Sequence, residues 1–203
     1  MKYITGMILA LLVSNMSPAG QPARLVWSDE FNKDGAPDPA KWGYDIGTGH
    51  NGWGNQEAEY YTDRPQNVHI SNGTLKITAV KEDYSGSSFT SARLLTKDKF
   101  SFKYGKIEVR AKLPAGAGTW PAIWMLGSNI GATGWPASGE IDIMEHKGRE
   151  PGKIYGTVHH PHHSGANADG GTVMIQGEAT AFHTYSADWS PSMIRFYVDD
   201  RLY

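Results

Sequence analysis

Charged and apolar residues alternate without exception from Lys106 to Leu113, and Pro114 ends the run. Side chains of a strand point to opposite faces in turn, so such a segment folds comfortably only as a strand buried on one side. Thr74–Val80 alternates as well, which predicts one wet face, and Ser71-Asn72-Gly73 before it is a turn with Asn-Gly suited to positive φ. The Asn72-Gly73-Thr74 triplet also fits a glycosylation sequon, but a hairpin turn explains it more simply. Met193–Val198 is a further strand, with Asp199-Asp200 as its turn. No stretch after Ala19 keeps helical periodicity through three turns, and no repeat or linker interrupts the chain. Regularly spaced strands with these turns indicate one all-β domain, a sandwich or a barrel. The 24 Gly, 7 Trp and 10 Tyr agree, since turn-rich β proteins with stacking surfaces need them.

The chain of 203 residues is long enough for one domain with a sizeable core. A net charge of −2 gives no electrostatic case for nucleic acid. Without cysteine, disulfides and thiolate metal sites are excluded. Lys2, the apolar run Ile4–Val13 and the small residues up to Ala19 read as a secretory signal over 1–19, leaving a domain over 20–203. The apolar run is too short to serve as a stable membrane anchor, so a secreted protein is expected. Asp199–Tyr203 looks like a hairpin turn with the first residues of a return strand. A sandwich stopping there leaves an unpaired edge, so the sequence reads as C-terminally incomplete.

The chemistry concentrates in Glu140-Ile141-Asp142-Ile143-Met144-Glu145-His146. Strand alternation puts Glu140 and Asp142 on one face and the isoleucines on the other; Glu145 is off by one residue. A one-residue bulge near Met144 restores it to the acidic face, and bulges are common beside active sites. Acids this close resist simultaneous ionisation, so one proton is retained near neutral pH. A retaining glycosidase needs such a pair, one carboxylate as nucleophile and one protonated acid, about 5–5.5 Å apart. A merely solvated acidic face is the plainer alternative.

Aromatic residues surround this run. Trp120 and Trp124 lie four apart, on one face if extended, and Trp135 precedes the acids. Indoles suit the C–H faces of sugars, and their N–H groups can bond hydroxyls; Met125 and Leu126 read as core. In His159-His160-Pro161-His162-His163 the clustered imidazoles could hold zinc. Pro161 and the following Gly165, Asn167, Asp169, Gly170 and Gly171 instead describe an open loop, favouring a cleft-edge sugar contact or plain surface.

With these residues in view, the chain resembles glycoside hydrolase family 16, and within it the bacterial laminarinase-like endo-1,3-β-glucanases. The resemblance rests on Glu140–Glu145 in its bulged form, Leu25-Val26-Trp27-Ser28-Asp29-Glu30-Phe31, Trp53-Gly54-Asn55-Gln56-Glu57 and Tyr60-Tyr61-Thr62. It continues through Ser91-Ala92-Arg93-Leu94, Tyr104-Gly105-Lys106, Arg110–Pro114 and Trp120–Leu126, in family order. It implies a concanavalin A-like β-jelly-roll sandwich of two antiparallel sheets with a carbohydrate cleft. It also implies Glu140 as nucleophile, Glu145 as acid/base and Asp142 as their assistant. Asn55, Arg93, Trp120, Trp124, Trp135 and His159 would contact substrate, a β-1,3-glucan, and a monomer is expected. Catalysis would need no cofactor. A structural calcium is implied at the Glu30 carboxylate and the Gly73 carbonyl, with a late-strand Asp that this sequence does not show. Two other readings stand beside the glucanase. One is a galactan-acting relative of the agarase or carrageenase kind, which shares the bulge. The other is a lectin-like glucan binder, which the presence of all three acids disfavours.

Overall fold

The computed structural model describes residues 3–15, 24–175, 177 and 179–203. The strands are β1 (Tyr3–Asn15), β2 (Arg24–Asp29), β3 (Gly43–Asp45), β4 (Glu59–Tyr61), β5 (Val68–Ser71), β6 (Thr74–Tyr84), β7 (Ser87–Ser91) and β8 (Arg93–Leu95). They continue with β9 (Gly105–Lys112), β10 (Ala122–Leu126), β11 (Glu140–His146), β12 (Lys153–His159), β13 (Asp169–Met174), β14 (Phe182–Ser190), β15 (Met193–Val198) and β16 (Arg201–Leu202). The one α-helical turn described, Ile130–Thr133, is four residues long. The chain divides into two compact units, one of residues 1–9 and 30–101, the other of residues 10–29 and 102–203.

In the first unit β5, β6 and β7 form an antiparallel ladder, and β4 adds to β7 in parallel. The expected wet face of β6 is not found. Thr74 and Thr78 are buried beside Leu75 and Val80, while Ile77 is only half-buried. The reason is polar satisfaction: Thr74 Oγ1 donates to the Ser71 carbonyl, and the Thr78 carbonyl accepts from Asn67 Nδ2 at 3.1 Å. Asn67, wholly buried, also donates to Thr90 Oγ1 and accepts from Thr62 Oγ1, so one amide joins β6, β7 and the residue after β4. The Asn72-Gly73 turn is as read, with both residues at positive φ.

The second unit has two antiparallel sheets. One runs β9-β14-β15-β16 and the other β10-β11-β12-β13. Strand β9 buries Ile107, Val109 and Ala111 and leaves Lys106, Glu108, Arg110 and Lys112 part-exposed, the alternation predicted from its sequence. These apolar residues share the core with Ile141, Ile143, Ile154, Tyr185, Ala187, Phe196 and Val198. Full burial of one such aliphatic side chain is worth about 1.5–3 kcal/mol. The layers meet closely at Gly156, where an added Cβ would lie 2.7 Å from the Phe196 ring. Asp199 and Asp200 both take positive φ, and β16 pairs back onto β15, the hairpin expected there.

The apolar stretch assigned to a signal is a strand here: residues 3–8 pair with β6 and residues 11–15 with β2. The expected cut after Ala19 lies outside the described residues. No described helix is long and apolar enough to cross a membrane.

Candidate active site

Strand β11 lies between β10 and β12, and both neighbours count one residue fewer than it does. Against β10, Ile123 faces Met144 while Trp124 faces Asp142, so Ile143 has no opposite number. Against β12, Asp142 faces Thr157 and Glu145 faces Tyr155, three steps against two. This is the bulge expected near Met144. Its effect on burial is direct: Ile143 and Met144 are 0% and 1% exposed, both turned into the core. Two consecutive inward residues return Glu145 to the side of Glu140 and Asp142.

The neighbouring strands fill that face. Trp124 stands across from Asp142, and His159 across from Glu140. Leu126 also stands across from Glu140 and is exposed, which corrects its reading as core: in β10 it shares parity with Trp124. Tyr155 and Thr157, which sequence pattern did not single out, flank Glu145 and Asp142 from β12.

Each outer glutamate receives an indole N–H. Trp120 Nε1 donates to Glu145 Oε1 at 2.8 Å, and Trp135 Nε1 donates to Glu140 Oε2 at 2.6 Å. The two rings remain 47% and 49% exposed, so their faces stay open to a ligand while their edges hold the acids. Trp120 precedes β10 and Trp135 lies between the helical turn and β11, so neither owes its position to strand alternation.

Asp142 is 4% exposed between them. Its carboxyl is pushed up to about 9, first by burial, then by the charges of Glu140 and Glu145 and by its hydrogen bond to Glu140. The proton that the crowded acids were expected to retain is therefore on Asp142 near neutral pH. His159 Nδ1 accepts the Gly165 N–H at 3.0 Å, so the ring donates from Nε2 to Asp142 Oδ2, 3.1 Å away. The chain of donors runs from the 165 backbone through His159 and Asp142 to Glu140. Glu140, Asp142 and His159 each bring a polar atom within 4.8 Å of the others.

Asn55 and Arg93 lie in the first unit and converge on one carboxylate. Asn55 Nδ2 donates to Glu57 Oε1 at 3.2 Å, and an Arg93 guanidinium nitrogen is 3.9 Å from the same oxygen. Arg93 Nε also pairs with Asp45 at 3.0 Å, across β3 and β8, and the guanidinium lies 4.6 Å from the Trp53 ring centroid. Trp53 sits in a loop with successive positive φ at Asn51, Gly52, Trp53 and Gly54. An added Cβ at Gly52 would run into the Glu57 backbone, so that residue must be glycine. Glu57, Asp45 and Trp53 were not among the expected site residues; Trp53 and Glu57 bound the block that carried the resemblance, whereas Asp45 has no local signal.

For calcium, Glu30 is exposed and Gly73 lies in the β5–β6 turn, both in the first unit. They supply two oxygens of the six to eight that calcium takes. The Asp34 carboxylate, which accepts the Asn72 N–H at 3.1 Å, lies beside the same turn.

A row of carboxyl groups on a sheet, bulged to align its two glutamates and edged with half-open indoles, defines a carbohydrate-cleaving enzyme. The chain belongs to the glycosyl hydrolases family 16, which it matches over residues 55–203. It is 49% identical over 199 residues to a beta-glucanase of Rhodothermus marinus, covering 96% of this chain and 69% of that protein. It is 39% identical over 203 residues to glucan endo-1,3-beta-glucosidase A1 of Niallia circulans, covering 92% of this chain but 30% of that one. In three dimensions it matches the laminarinase catalytic domain of Thermotoga maritima MSB8 with a TM-score of 0.84 and 48% identity, over 89% of this chain and 75% of that one. The fold is accordingly the jelly roll of the family's laminarinases.

Proposed function

We propose that this chain hydrolyses β-1,3-glucan internally, with retention of anomeric configuration. The observation that carries this is the bulge at Ile143 and Met144, which sets Glu140 and Glu145 on one face, each with its own indole donor. The named activities of the relatives above point to the same substrate class.

In the proposed mechanism Glu140 attacks the anomeric carbon as the glycosidic C–O bond breaks, and Glu145 passes its proton to the departing oxygen. Asp142, protonated at neutral pH, keeps Glu140 oriented through its hydrogen bond and takes its own orientation from His159. Glu145 then takes a proton from water, which attacks the glycosyl carbon and frees Glu140. Trp120, Trp124 and Trp135 offer sugar-stacking surfaces, and Asn55 and Arg93 are proposed as further glucan contacts. No step requires a cofactor. A structural calcium at Glu30 and Gly73, a monomeric state and secretion after loss of residues 1–19 belong to the same proposal. Chelator-induced loss of thermal stability would test the first, and an N-terminus beginning at Gly20 the last.

Product analysis on laminarin, lichenan, agarose and carrageenan decides the substrate. Proton NMR of the first laminarin products should show the β-anomer, and Glu140→Gln should abolish turnover with the fold intact. The α-anomer appearing first would mean inversion and would remove these roles. Cleavage confined to agarose or carrageenan would favour a galactanase, and glucan binding without products a lectin.

A further inference from the structure

The loop after β12 gathers a second constellation away from the acid row. His160 and His163 face each other across a backbone bridge, each N–H bonded to the other's carbonyl, at 2.8 and 3.1 Å. Their rings lie 5.4 Å apart, tilted by 31°. Asp169, the first residue of β13, is brought alongside because it pairs with Val158 in the β12–β13 ladder. Its two carboxylate oxygens are divided between the rings: Oδ2 lies 2.9 Å from His160 Nε2 and Oδ1 2.7 Å from His163 Nδ1. The three ligand atoms all fall within 4.8 Å of one another. All three side chains reach solvent, so an ion can enter.

We propose that His160, His163 and Asp169 bind a first-row transition ion of the zinc class. Two imidazoles and a carboxylate are a zinc donor set, leaving a fourth tetrahedral position for water. Ligand atoms around tetrahedral zinc stand about 3.3 Å apart, so the cluster contracts from its present span within 4.8 Å as both rings turn from separate carboxylate oxygens onto one ion. The ion replaces the shared protons. When His160 Nε2 takes the metal its ring proton moves to Nδ1, and the contact that must yield is the long one from the His162 N–H, 3.4 Å. The open loop read from Pro161 and the glycines is real, but β-ladder register closes it onto a residue six positions past His163.

The site has a structural consequence for the loop. Gly165, between His163 and Asp169, donates its N–H to His159 Nδ1. An ion held on both sides of Gly165 fixes the segment that orients His159.

Calorimetric titration of the full chain with zinc chloride near pH 7 tests this. One ion should bind, and His163→Ala and Asp169→Asn should each weaken it at least tenfold. Asp142→Asn should leave affinity unchanged, since it alters the acid row and not this loop. Zinc should raise the wild-type unfolding temperature and have no such effect on His163→Ala. Cobalt(II) should give the intense visible bands of tetrahedral coordination, lost in the same variant. Absence of zinc binding by the wild type, or undiminished affinity in a His160→Ala/His163→Ala double variant, would overturn the proposal.

Discussion

The Trp135 indole N–H donates to Glu140 Oε2 at 2.6 Å while half of the Trp135 side chain stays exposed. One residue thus offers an edge to the nucleophile and a face to the solvent. A hydrogen bond to a charged group is worth about 1.5–3 kcal/mol, and each 1.36 kcal/mol is tenfold in rate. Trp135→Phe keeps a ring and removes the donor. Its kcat on laminarin should fall by about 10- to 100-fold, with a smaller change in KM; a kcat within twofold of wild type would show that the bond has no part in turnover.

Asp142 gives the pH dependence a definite sign. Its proton is held up to about 9 in the folded protein, whereas an unfolded aspartate releases it near 4. Between about 4 and 9 the folded state binds more protons than the unfolded one, so this group's contribution makes stability fall as pH rises through that window. Asp142→Asn is neutral throughout. Its unfolding midpoint should exceed that of wild type toward pH 9 and approach it below pH 4, in thermal scans across the range. A pH-independent offset would place the proton elsewhere.

The bulge supplies a third test. Inserting an alanine between Met144 and Glu145 adds one more residue to the bulged strand and turns Glu145 toward the core, since one residue reverses strand parity. Hydrolysis should be lost. Ile143→Ala keeps the register but leaves a cavity where a wholly buried side chain stood, costing about 2–5 kcal/mol of stability. Denaturant titration with activity assays separates the two: the Ile143→Ala variant should be less stable yet active, the insertion inactive even where folded.

Arg93 binds Asp45, approaches Glu57 and covers the Trp53 ring. Lysine cannot reproduce a planar fork that pairs and stacks at once. Arg93→Lys should raise KM for glucan several-fold with kcat nearly unchanged, and shift the Trp53 contribution to intrinsic fluorescence. A lower kcat at constant KM would reassign the residue to the chemical step.

Much of the site was legible because it lies within one strand. Glu140, Asp142 and Glu145 declare their face by parity, and the parity break itself announces the bulge. Strand β9 was equally plain, its lysines and arginine interleaved with core aliphatics. Legibility failed where distant segments decide. Thr74 and Thr78 look like a wet face, yet both are buried, Thr74 with its hydroxyl on the Ser71 carbonyl and Thr78 with its carbonyl held by Asn67, eleven residues earlier. Arg93 carries no local sign of Asp45 or Glu57. Glu145 carries none of Trp120, whose indole arrives from an irregular segment. Asp169 meets His160 only through the β12–β13 register, so residue spacing alone described a loop and not a cluster.

The surplus residue in β11 is registered by two partners at once, β10 on one side and β12 on the other. An insertion in either partner corrects one ladder and leaves the other out of step. Only a deletion within β11 brings both ladders into step at once, and it draws the two glutamates one residue closer on the same face. The separation thus changes by a whole residue or not at all, like the notches of a ratchet, and a lineage abandoning hydrolysis reaches that end most easily by exchanging an acid side chain.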